Sequence, residues 1–76
     1  MQIRENDTVV LSRALLELGL EAGDIGAVVH VFGEGEAYEV EFVAGDGCTL
    51  GLVTLKPEEI RRLDARDILH ARSISA

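Results

Sequence analysis

The chain of 76 residues has no tryptophan, one tyrosine, two phenylalanines, one proline and one cysteine. Each scarcity excludes something. A single cysteine, Cys48, cannot form an intramolecular disulfide framework, and it fits a reducing compartment. Three aromatics cannot line a polyproline groove or a methyl-lysine cage and also fill a core. No apolar run is long enough to span a bilayer, and the N-terminus has no apolar leader segment, so a cytoplasmic location without membrane contact is expected. Bases are also scarce: seven against fourteen acids, for a net charge of −7. Positions 1–60 hold twelve acids and three bases, and positions 61–76 hold two acids and four bases. An acidic body repels phosphate, so nucleic-acid binding is disfavoured, and the small basic tail is too sparse to reverse that.

What is present reads as strands. Gly23 to Phe42 organises the rest: a tight turn, a strand, a glycine turn and a second strand. Val28 to Phe32 is β-branched and aromatic, which suits a pleated, half-buried surface. Its alternation predicts Val28, His30 and Phe32 on one face and Ala27, Val29 and Val31 on the other. Both faces are fairly apolar, which predicts the more central strand of the two. Gly33-Glu34-Gly35-Glu36 can supply the positive φ of a hairpin connection. It is no phosphate cradle, because no helix or lysine follows and its glutamates would repel the ligand. Tyr38-Glu39-Val40-Glu41-Phe42 alternates strictly, predicting Tyr38, Val40 and Phe42 inward and Glu39 and Glu41 outward.

On either side the pattern continues. Met1 to Asn6 reads as a loose lead-in. Asp7 to Ser12 predicts a first strand with Val9 and Leu11 inward. Arg13 to Ala22 reads as a long loop with one helical turn, its leucines plugging one end of the core. Ala44 to Gly47 is a turn, and Cys48 to Leu55 a fourth strand in which Gly51 marks a bulge or bend. Pro57 opens a short helical turn, and Ile60 to Leu63 is expected as a fifth strand that closes the barrel. An alternative makes 57–71 one amphipathic helix, but aspartates break its stripe. The expected architecture is therefore all-β: a five-stranded SH3-like barrel over residues 1–63, with a long first loop. A C-terminal extension over 64–76 is expected to be flexible or to hold a helical turn or two.

Thr8-Val-Val-Leu, the stretch 19–32, Tyr38-Glu-Val-Glu-Phe-Val, Gly47 and Thr49 together resemble a bacterial family of domains of unknown function, catalogued under four-nine-two-six. The resemblance covers about residues 6–63. It implies an SH3-like barrel and carries over no catalytic residue. Gly23-Asp-Ile-Gly-Ala-Val28 is also similar to a Gly-x-x-Gly-x-Val element of ribosome- and transcription-associated barrels, whose surroundings are usually basic, unlike these.

No catalytic or metal motif stands out. Gly23 to Gly26 reads as a turn with Asp24 bonding nearby backbone rather than as a ligand loop. His30, His70 and Cys48 lack zinc-ligand spacing, and a Cys48–His30 nucleophilic pair is the weaker reading beside a small apolar filler and a strand histidine. No cofactor and no enzymatic activity are expected. Leu15, Leu16 and Leu18, with Ile68, Leu69 and Ile74, exceed what so small a core can hide, which predicts a homo-oligomer. Glu39 and Glu41, roughly 7 Å apart along their strand, read as a solvated face or as a docking strip for a basic protein. The expected role is a self-associating interaction module, an adaptor or inhibitor-like partner. The alternative is a nucleic-acid-associated barrel using the basic tail and the Gly-x-x-Gly-x-Val hairpin.

Overall fold

The computed structural model describes residues 2–74; Met1, Ser75 and Ala76, at the ends of the expected lead-in and extension, lie outside the described residues. Five antiparallel strands form one sheet: β1 (Thr8–Leu11), β2 (Ile25–Phe32), β3 (Ala37–Val43), β4 (Thr49–Leu55) and β5 (Ile60–Arg62), in the order β4-β3-β2-β1-β5. β2 is central and β3 lies one place nearer the edge, although the outward residues of β2 are exposed. β5 pairs with β1, and no strand pair joins β4 to β5 among the described residues, so both are edges.

The strands follow from alternation. On β3, Tyr38, Val40 and Phe42 are buried, while Glu39 and Glu41 are only partly covered. Val9, Leu11, Val28, Leu55 and Ile60 complete one core drawn from all five strands, and Leu20 plugs it from the first loop. No polar side chain is buried among the described residues. Where the loop turns, Leu16–Leu18 form one 3₁₀ turn that ends at Gly19 in the left-handed region, φ 71°.

Four expectations need correction. The two-face pattern of β2 fails at Val29. Val28 pairs with Val40 but His30 pairs with Glu39, so Val29 is an extra residue in a bulge. Beyond it the parity switches: Val31 packs on the core, and His30 and Phe32 turn outward. The lead-in is not loose. The Arg4 N–H bonds the Asp7 carboxylate at 2.8 Å, Asn6 N–H bonds the Val28 carbonyl at 2.8 Å, and Ile3 packs on the core. The tail holds no helix among the described residues; Asp64 to Asp67 forms a turn and the chain then runs extended across the body. The bulge expected near Gly51 falls on Leu50, since Phe42 pairs with Gly51 and Val43 with Thr49.

Candidate interaction surfaces

Four turns are closed in the same way. In each, an acid accepts the backbone N–H three residues before it, at 2.8, 2.8, 2.8 and 2.7 Å: Asp7 from Arg4, Asp24 from Glu21, Glu59 from Lys56, Asp67 from Asp64. Each of these acids also meets an arginine from elsewhere: Arg62 on Asp7 at 3.5 Å, Arg72 on Asp24 at 2.6 Å, Arg13 on Glu59 at 3.8 Å, Arg61 on Asp67 at 2.8 Å. Four of the seven bases are thereby engaged within the fold. Three of the four in the basic tail are among them; the fourth, Arg66, has no acid paired with its side chain among the described residues.

The Arg72 clamp decides where the tail lies. Its Nε donates to Asp24 Oδ1 at 3.0 Å, its Nη2 to Asp24 Oδ2 at 2.6 Å and to the Gly19 carbonyl at 2.9 Å. The Arg72 guanidinium holds the Asp24 carboxyl below the usual aspartate range, and Arg61 does the same to Asp67. Such forked pairs fix direction as well as distance. Because Gly19 ends the 3₁₀ turn, the clamp joins the two apolar segments singled out by sequence. Leu16 and Ile68 are almost fully exposed, at 84% and 85%; Leu18 and Leu69 are also exposed. Leu15 is different: it pairs with Leu20 and packs on the core, so it offers little free surface.

The second surface is the outer face of β2, β3 and β4. Val29, Phe32, Val43, Leu50 and Leu52 are all exposed there. Glu39 and Glu41 lie among them, and each accepts a threonine hydroxyl from β4 at 2.6 Å, Glu39 from Thr54 and Glu41 from Thr49. Both carboxylates are thus leaned toward β4, the free edge. His30 stacks edge-on against Phe32, ring centres 4.6 Å apart, with Glu5 3.6 Å from its Nδ1.

Neither the nucleophile nor the zinc idea gathers its parts. His30 lies opposite Glu39, and Glu39 opposite Thr54. Cys48 is six positions along the chain from Thr54, roughly 20 Å at strand spacing. The thiol is instead 3.4 Å from Asp46, in the β3–β4 turn. No group of three or more metal-ligand side chains occurs among the described residues, and none of the described helices is long and apolar enough to cross a membrane.

Sequence reasoning missed the clamp. Asp24 was readable as a turn former, but its partner is 48 positions away and no local pattern marks it. The threonine bonds to Glu39 and Glu41 follow only from strand register.

Compared with known proteins, residues 5–62 match the family described as Domain of unknown function (DUF4926). No curated protein and no solved structure matches.

Proposed function

The chain belongs to this family of domains of unknown function, and we propose that it is a non-enzymatic protein-interaction module that self-associates while presenting an acidic face. It would act as an adaptor or inhibitor-like partner of another protein in the cytoplasm. The observation that carries the reading is the clamped pair of apolar segments, with Leu16 and Ile68 almost wholly in water. Isolated exposed leucines are ordinary on any surface. Here the exposed residues lie on segments that an ion pair fastens together, so the apolar surface is held in place rather than left to fold back.

Magnitudes limit the strength. Removing a leucine-sized side chain from water is worth about 1.5–3 kcal/mol, and association costs on the order of 4–15 kcal/mol in lost freedom. The two ranges overlap, so association requires most of these side chains from each copy to be buried and not one alone. The engagement of Arg61, Arg62 and Arg72 within the fold weighs against nucleic-acid binding through the tail. Sedimentation of the full chain beside Leu16→Glu tests the reading: the parent associates and the variant is a folded monomer.

A further inference from the structure

β4 reads Thr-Leu-Gly-Leu-Val-Thr-Leu, seven residues without a charge in a chain of net charge −7. Among the described residues it pairs with β3 alone, so one side of its backbone has no strand beside it. Proteins ordinarily blunt such an edge with lysine, proline, an inward charge or a cover. β4 has no lysine, proline or inward charge, its one such device is the bulge at Leu50, and its outward Leu52 is exposed. The other edge differs: β5 is three residues, two of them arginine.

The acids beside β4 are also arranged. Glu39 and Glu41 sit one strand in, and each is drawn toward β4 by a threonine of that strand, Thr54 and Thr49. Each threonine occupies one carboxylate oxygen, Oε1 of Glu39 and Oε2 of Glu41. The second oxygen of each accepts no hydrogen bond from another described residue, so a charge placed beyond β4 would find an acceptor already oriented. A strand added to β4 would lie about 10 Å from β3. An arginine or lysine stem can cross that span over Leu52 with its apolar length on the leucine and its charge at the glutamates.

We propose that β4 is a docking edge for an extended segment of another protein, one that alternates apolar and basic side chains. It would add to the sheet as a sixth, antiparallel or parallel strand, with main-chain bonds supplying affinity and the glutamates supplying choice. Its basic residues share the outward face with Leu52, Glu39 and Glu41; its apolar residues lie toward the core side, beside Val53 and Leu55. A second copy of this chain is the poorer occupant, since it would bring another acidic body and no basic alternation. The inference rests on the reading as an interaction module, but it uses a different surface from self-association.

The test uses the full chain and synthetic seven-residue peptides, one alternating valine with lysine and one alternating valine with glutamate. Amide exchange and chemical shifts are followed residue by residue, and sedimentation is run on the same samples. The valine–lysine peptide is expected to protect β4 amides that face away from β3, and to bind at least tenfold more weakly to the double variant Glu39→Gln, Glu41→Gln. Both substitutions keep the threonine bonds, so the fold is retained, and unchanged dispersion of the spectrum checks this. Equal binding of the valine–glutamate peptide, protection elsewhere than β4, or no protection at all overturns the proposal. So does β4 protection that appears without peptide and disappears on dilution, which would identify the occupant as a second copy. Failure of peptide binding with association intact leaves self-association standing, and the reverse result separates the two the other way.

Discussion

Gly26 shows how little room the centre of the sheet leaves. A Cβ there would come within 2.6 Å of Val40 Cγ1, 2.9 Å of Phe42 Cε1 and 3.0 Å of the Glu41 carbonyl. Backbone lies among those neighbours, so the contact cannot be relieved by a side chain alone. Gly26→Ala is therefore predicted to destabilise the domain by about 1–3 kcal/mol, read as a lower denaturant midpoint. Gly45 has open space around it, and Gly45→Ala should change stability by less than about 0.5 kcal/mol. At this scale the sequence was informative about conformation and silent about company. Gly33 and Gly35 have the positive φ that the hairpin required, 61° and 101°. Asp24 closes its turn as its residue type suggests. Arg72 carries no mark in the sequence of the carboxylate it meets, because an ion pair between distant segments is a product of the fold and not of spacing.

Among the elements, β3 was the most legible and β2 the least. β3 has one wet and one dry face, and the period of two can be read directly. β2 is apolar on both faces, so a one-residue bulge at Val29 changes the facing without disturbing the pattern. That is why His30 and Phe32, expected to share a face with Val28, turn outward. The tail was legible as an extension but not as a strap, since its attachment is ionic. Its pH dependence follows from the two depressed aspartates. Asp24 and Asp67 are held low in the folded state by Arg72 and Arg61. Their contribution is complete above the unfolded aspartate pKa near 3.9 and is lost as the pH falls through the lower folded values. The tail should thus stay in place from about pH 5 upward and come free only below about pH 4, which nitrogen relaxation of residues 68–74 would report. Arg72→Ala should free the same residues at neutral pH. Its effect on global stability should be small, because the pair is partly exposed and screened by solvent.

For the molecule as a whole, charge distinguishes its two proposed contacts. Two copies each of net charge −7 repel, so added salt should tighten association through the leucine surface. Salt should weaken a basic strand on β4, whose attraction to Glu39 and Glu41 it screens. Opposite salt responses for the two events, measured in one preparation, would show that they use separate surfaces. The central claim is self-association through the segments that Arg72 fastens together. Sedimentation equilibrium of the full chain at tens of micromolar, beside Leu16→Glu and Ile68→Glu, addresses it most directly. An oligomer for the parent with folded monomers for both variants is the predicted result. A monomeric parent, or variants that associate as the parent does, would contradict it.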